Sequence, residues 1–119
     1  MKKCPSGAIC SDRFLLYAEK CISYHNESER PFPDWIAPSW HNCLIGCMIC
    51  QNVCPANPPS VRRTVDAAIF SERETSQILM GTPEESLNPE TIEKLKRAGL
   101  FSDCKLLSRN LGALLNTPR

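Results

Sequence analysis

The placement of the cysteines is the feature that most constrains this chain. Its 119 residues include eight cysteines, and seven of the eight come before Pro59. The basic start at Lys2 and Lys3 runs directly into Cys4 with no apolar segment between, so we expect no signal peptide and a cytoplasmic location. In such a compartment closely spaced cysteines bind metals more often than they form disulfides. The sequence therefore predicts a small module that is stabilised by metal.

The spacing Cys47-x2-Cys50-x3-Cys54-Pro55 indicates iron–sulfur chemistry. Ferredoxins with two clusters use the run C-x2-C-x2-C-x3-C-P, in which three cysteines bind one cluster and the last binds the other. The first position of that run is Leu44 in this chain. A further ligand must therefore come from elsewhere in the sequence.

A cysteine followed by proline also stands at the start of the chain. Cys4 has the form of the end of an earlier run, whose other cysteines would precede Met1. By the crossed rule Cys4 then joins the cluster of the Cys47 motif, and Cys21 is the candidate for the missing corner. This interpretation gives one complete ligand set for a [4Fe-4S] cluster: Cys4, Cys21, Cys47 and Cys50.

The remaining cysteines have less certain partners in the sequence. Cys54 is directed to a second cluster, which would need upstream cysteines, so it is a ligand of that cluster or a free thiol. Cys10 and Cys43 are interpreted as packing or incidental residues that could substitute in an incomplete cluster. Cys104 precedes the last leucine-rich segment and is expected in the core.

Three segments together resemble the double-cluster ferredoxin domain of the epoxyqueuosine reductases and their relatives. They are residues 4–9 (CPSGAI), 21–24 (CISY) and 46–55 (GCMICQNVCP). Residues 40–43 (WHNC) resemble a clostridial-type branch more closely, and residues 108–111 (SRNL) resemble a helical segment that follows the clusters in such proteins.

The resemblance implies a ligand set and a function. In that family one cluster takes the ligands matching Cys4, Cys21, Cys47 and Cys50, and the other takes three upstream cysteines with the one matching Cys54. The enzymes pass electrons through the clusters to a cobalamin held by an upstream domain. The resemblance thus implies the electron-transfer module of a cobalamin-dependent oxidoreductase. Its partner would be that cobalamin-binding domain or another redox protein, and we expect no catalysis by this chain alone.

Two other interpretations remain open at this point. A structural zinc module with four cysteines, mediating assembly, uses the same C-x2-C spacing. A degenerate remnant without a redox role is the second. A thioredoxin-like site is disfavoured because no βαβ pattern surrounds the motif. The net charge of +1 argues against direct binding of nucleic acid, and the apolar stretches are too short to span a membrane.

The predicted fold is mostly α, with an irregular, metal-stapled, bacterial-ferredoxin-like half over residues 1–59 and short helices over residues 60–119. Helices are expected over residues 18–26 and 45–53, which would carry the three later ligands of the set. Four aromatic side chains could shield the cluster or simply pack: Tyr24, Phe32, Trp35 and Trp40. His25 and His41 are expected as hydrogen-bonding neighbours rather than ligands.

The second half contains clear helix boundaries. Ser71 and Glu74 have the spacing of a capping box for a helix that runs to Gly81. Residues 82–85 (TPEE) repeat the start signal, and residues 88–90 (NPE) begin a helix that ends at Gly99. The last helix presents one packing face and ends at Pro118; the face consists of Leu107, Leu111, Leu114 and Leu115. Arg62 and Arg63 are expected in a solvated turn.

Overall fold

The computed structural model describes residues 3–10, 12, 13, 15–58 and 68–116. Over these residues the chain is helical, and its β pairing is an isolated antiparallel bridge between Ile9 and Leu16. The mostly α expectation is thereby confirmed for the described part. Its α-helices are α1 Ile22–Asn26, α2 Ile49–Asn52, α3 Glu72–Leu79, α4 Pro89–Arg97 and α5 Cys104–Leu115.

Both helices predicted in the first half are shorter than expected. A 3₁₀ turn over Ala18–Lys20 closes when the Cys21 amide donates to the Ala18 carbonyl (2.9 Å), and the chain then extends at Cys21 before α1 begins. The second predicted helix starts only at Ile49, because Gly46 adopts a φ of 74°. That left-handed conformation cannot continue a right-handed helix. Cys47 therefore lies outside α2.

The helix boundaries of the second half follow the sequence closely. The Glu74 amide donates to Ser71 Oγ (3.3 Å) and the Ser71 amide donates to Glu74 Oε2 (2.7 Å), which confirms the capping box. Asn88 Oδ1 accepts from the amide of Thr91 (2.8 Å) at the start of α4. Gly81, with a φ of 68°, follows the end of α3 as predicted. The start signal at residues 82–85 produces only a 3₁₀ turn, Glu84–Ser86.

An ion pair between Lys94 and Glu74 links α4 to α3. Lys94 Nζ lies 3.0 Å and 2.9 Å from the two carboxylate oxygens of Glu74, and Thr91 Oγ1 donates to Glu74 Oε1 (2.9 Å). The Ser71 amide, Lys94 and Thr91 together hold the pKa of Glu74 at about 2. One carboxylate thus caps its own helix and ties the next helix to it.

The apolar core is centred on Leu87, Leu95 and Leu107. Leu44 and Ile45 pack against this cluster, so the segment before Cys47 contacts the helices of the second half. The predicted boundary between residues 59 and 60 stays a prediction, but the two stretches on either side of it share this core in the described residues.

The predicted packing face of α5 is only partly confirmed. Leu107 is buried, whereas Leu115, the last residue of α5, is 53% exposed. Asn110, which the leucine pattern passed over, is buried instead. Pro118, Arg62 and Arg63 lie outside the described residues. None of the helices that the structure describes is long and apolar enough to cross a membrane.

Candidate metal centre

One cavity of about 470 Å³ brings together the four cysteines predicted to bind a cluster. Each of the four is partly buried, and the rest of the lining is mostly apolar. The cysteines are Cys4, Cys21, Cys47 and Cys50, and the apolar lining residues include Pro5, Ala8, Ile9, Leu15, Leu16, Ile22 and Ile49. An apolar wall lowers the local dielectric constant, which is one of the means by which a protein sets the potential of a cluster.

Short local structures bring the first two cysteines to this cavity. Cys4 begins a turn that closes when the Gly7 amide donates to its carbonyl (3.3 Å). Residues 8–10 then pair with residues 15–17, where the Tyr17 amide donates to the Ala8 carbonyl (2.8 Å). This pairing folds the chain back so that Cys21, at the start of α1, lines the same cavity as Cys4.

The other two cysteines flank the beginning of α2. Cys47 follows the left-handed Gly46, and Cys50 lies in the first turn of the helix. The Asn42 side chain donates from Nδ2 to Cys47 Sγ at 3.4 Å and to the Trp40 carbonyl at 2.9 Å. Hydrogen bonds to ligand sulfurs stabilise the more negative, reduced state of a cluster. Asn42 therefore belongs to the site, although nothing in the sequence pattern singled it out.

Cys4 has an environment that favours its thiolate form. Burial raises the pKa of the thiol, but hydrogen bonding to the Ser6 hydroxyl, 3.5 Å away, and to the backbone of Ile9, Ala8 and Ser6 outweighs it. The net result is a lowered pKa for Cys4. Because the thiolate is the form that binds metals, this turn is suited to a ligand.

Four cysteines that line one cavity match the number and kind of donors that an iron–sulfur cube takes. Thiolates that share one zinc ion at about 2.3 Å must converge to about 3.8 Å from each other, whereas a cube keeps its thiolates apart at separate iron atoms. No group of three or more His, Cys, Asp or Glu in residues 3–10, 12, 13, 15–58 and 68–116 is placed to hold a metal ion. The cavity has the volume of about 16 liquid waters at ~30 Å³ each, enough for the eight atoms of a cube.

The other cysteines lie away from this cavity's lining. Cys54 follows α2, and its amide donates to the Gln51 carbonyl (3.3 Å). Cys10 Sγ donates to Asp12 Oδ1 (3.0 Å) and Cys43 Sγ donates to Asn42 Oδ1 (3.1 Å).

Cys104 packs partly buried against the leucine core, as expected. Burial, followed by the charges of Glu84 and Asp103, raises the pKa of its thiol. It is a packing residue of the second half.

Neither the two histidines nor the four aromatic residues singled out from the sequence line the cavity; the four are Tyr24, Phe32, Trp35 and Trp40. His25 Nε2 is hydrogen-bonded to the Glu19 carbonyl (2.8 Å), and His41 is buried with its ring 4.6 Å from that of Phe32. Burial and the charge of Arg109 lower the pKa of His41. The four aromatic residues are thus packing or surface residues, and Trp35 and Tyr24 are exposed.

Comparison with known families agrees with this geometry. Residues 1–57 match the family described as a 4Fe-4S double cluster binding domain. This part of the chain is therefore similar to that family. The matched residues contain all four cysteines of the cavity, together with Cys54.

Curated relatives of the double-cluster domain carry the name epoxyqueuosine reductase. The protein from Synechocystis sp. (strain ATCC 27184 / PCC 6803 / Kazusa) is 37% identical over 76 residues, covering 62% of this chain and 26% of the relative. Those from Prochlorococcus marinus (strain NATL2A) and Cyclobacterium marinum (strain ATCC 25205 / DSM 745 / LMG 13164 / NCIMB 1802) are 34% identical over 68 residues and 44% identical over 55. These matches cover 56% and 45% of this chain and 22% and 17% of the relatives.

The chain therefore spans about a quarter or less of the length of these relatives. No solved structure matches it significantly.

Proposed function

We propose that this chain is an iron–sulfur electron-transfer module of a reductase related to epoxyqueuosine reductase. It holds a [4Fe-4S] cluster on Cys4, Cys21, Cys47 and Cys50. The observation that carries the proposal is the shared cavity, since the four cysteines of the predicted ligand set line it together. Residues 1–59 form the cluster module and residues 60–119 a helical segment beside it. A cytoplasmic location stays a prediction.

The chain's own residues have three tasks in this function. The turn at Cys4 and the start of α1 present two thiolates, and Gly46 turns the chain so that Cys47 and Cys50 present two more. The apolar lining limits contact between the sulfurs and water. A cluster bound there supplies one-electron transfer, and its partner is a cobalamin-binding domain or another redox protein.

Cys54 has a different task in this proposal. It lies in the same motif as Cys50 but does not line the cavity. By the crossed rule it binds a second cluster, whose other three ligands come from outside this sequence.

The experiment that tests the proposal is anaerobic purification followed by analysis of iron, sulfide and zinc. We expect iron and sulfide in equal amounts, about four of each per chain by the composition of the cube. Cys50→Ala and Cys21→Ala should lose the cluster. Cys54→Ala should keep the iron content and the reduced-state EPR signal of the unmodified protein.

Cys10→Ala is the matched control, because Cys10 is a partly buried cysteine of the same half that does not line the cavity. Stoichiometric zinc with little sulfide would instead support the structural zinc module. If Cys54→Ala empties the site and Cys21→Ala does not, the ligand assignment is wrong.

A further inference from the structure

A buried side-chain amide ties α1, the helix that follows Cys21, to the segment before Cys47. Asn26, the last residue of α1, is 1% exposed. Its Nδ2 donates to the Gly46 carbonyl (2.7 Å), and its Oδ1 accepts from the Gly46 amide (3.1 Å). The carboxamide therefore pairs with both backbone groups of one glycine. This pairing fixes the end of α1, the helix that begins after Cys21, against the residue that precedes Cys47.

A second buried amide reaches this junction from α5. Asn110 is 2% exposed, and its Nδ2 donates to the carbonyls of Asn26 (2.8 Å) and Leu44 (2.7 Å). Its Oδ1 accepts from Nε and Nη2 of Arg109, at 3.0 Å and 2.9 Å. Both amide protons of Asn110 are thus used on the two cysteine-bearing segments, and its oxygen is held by a cation.

Arg109 completes the junction on the α1 side. Its Nη2 donates to the carbonyls of His25 (3.1 Å) and Asn26 (3.2 Å), and Nη1 donates to the carbonyl of Arg30. Its guanidinium also lies 4.2 Å from the centre of the Phe32 ring. The planar fork of arginine allows one side chain to bind several carbonyls at once.

We infer that Asn26, Asn110 and Arg109 form an amide clasp that positions the cluster ligands. This inference rests on the proposed function. The clasp contacts the backbone at residues 25, 26, 30, 44 and 46, between and beside the segments that present Cys21 and Cys47. Two of its members, Arg109 and Asn110, come from α5, and Asn110 lies 84 positions along the chain from Asn26 and 66 from Leu44. The helical segment thereby sets the separation of two cluster ligands that it does not itself contain.

The leucine core and the clasp hold different parts of the chain. Leu87, Leu95 and Leu107 hold the helices of the second half to one another. The clasp instead donates to carbonyls of the first half, among them the carbonyl of the buried Asn26, and a buried polar group needs such a partner. A change in the clasp should therefore alter the cluster more than it alters the helices.

The test replaces Asn110 with Asp in the full chain. Asn110→Asp keeps the shape but turns two donors into an acceptor facing two carbonyls. Asn116→Asp is the matched control, since Asn116 is an exposed asparagine at the end of the same helix. Each protein is loaded anaerobically with iron and sulfide. We then measure the EPR spectrum of the reduced cluster, the rate of iron loss to a chelator, and far-UV circular dichroism.

We expect Asn110→Asp to lose iron at least about tenfold faster than the control and to show a changed EPR spectrum, with helicity retained, because a buried polar group that loses its partner typically costs enough for that factor. In the metal-free chain, hydrogen exchange of residues 44–48 should accelerate while that of α4 does not.

Arg109→Lys is the second variant, to be used if Asn110→Asp fails to fold. The lysine retains the charge but cannot bind the separate carbonyls together, so a faster loss of iron is again expected. Unchanged EPR spectra and iron-loss rates in a folded clasp variant would overturn the positioning role alone. If the unmodified protein takes up no iron and sulfide, the proposed function is overturned, and the positioning role with it.

Discussion

Shortening Leu107 to alanine should destabilise the helical segment by several kilocalories per mole. Leu107 is 2% exposed and packs in the cluster with Leu87 and Leu95. Losing three buried carbons costs about 2.4 kcal/mol at ~0.8 kcal/mol each, and the cavity left behind can raise the total to about 5 kcal/mol. Since domains are typically stable by only about 5–15 kcal/mol, this is a large fraction of the stability.

Hydrogen exchange is the suitable assay, because metal-binding proteins often depart from two-state unfolding. The slowest amides of α4 and α5 report the free energy of opening. A loss of 2.4 kcal/mol corresponds to exchange at least about 50-fold faster, at 1.4 kcal/mol per factor of ten. We expect that acceleration in Leu107→Ala.

Leu115→Ala is the matched control, since Leu115 lies on the same helix but is 53% exposed. It should leave these amides within about threefold of the unmodified protein, because little apolar area is lost. If Leu107→Ala also stays within that range, the core is not centred on Leu107 and the account of α5 packing is refuted.

Three further predictions follow from single residues. Gly112→Ala should stabilise the protein by about 0.5–1 kcal/mol in thermal denaturation, because Gly112 lies inside α5 and a methyl group there would meet no atom within 4 Å. The pKa of Glu74 is lowered from 4.5 to about 2, so its contribution to stability should be complete above pH 4.5 and should be lost as the pH falls from 4.5 towards 2. Asn42→Val should make the reduction potential of the cluster more negative, because it removes the N–H donor to Cys47.

Each of these has a control or a contrary result. Gly46→Ala should destabilise, in contrast to Gly112→Ala, because Gly46 has a φ of 74°. Glu74→Gln should remove part of the acid sensitivity between pH 4.5 and 2, and an unchanged acid transition would contradict the ion-pair account. For Asn42→Val, a potential equal to that of the unmodified protein in redox titration would show that the contact with Cys47 does not persist with the cluster bound.

The local features of this chain could be predicted from its sequence. The capping box at Ser71 and the start of α4 at Asn88 depend on residues three positions apart, and neighbours at that distance meet whatever the rest of the fold does. The cysteine spacing belongs to the same class. The C-x2-C spacing selected Cys47 and Cys50, and the crossed rule added Cys4. These three line one cavity with Cys21, which was the candidate for the missing corner.

The helix limits in the first half could not be predicted in this way. The predicted helices over residues 18–26 and 45–53 ignored the extended conformation of Cys21 and the left-handed conformation of Gly46. Both conformations serve the placement of cysteines around the cavity, and that placement depends on segments far apart in sequence.

The buried asparagines mark the limit most clearly. Asn26 and Asn110 are polar residues in short helices, and their sequence neighbours give no sign that each is nearly fully buried. Their burial is possible only because backbone groups of Gly46, Leu44 and Asn26 itself arrive from other parts of the chain to satisfy them. The sequence by itself thus predicted four cysteines that line one cavity, and it determined where the later helices begin. The tertiary structure decided which polar residues hold the segments beside Cys21 and Cys47 together, because hydrogen bonds across 20 to 84 positions form only once the packing has brought the segments together.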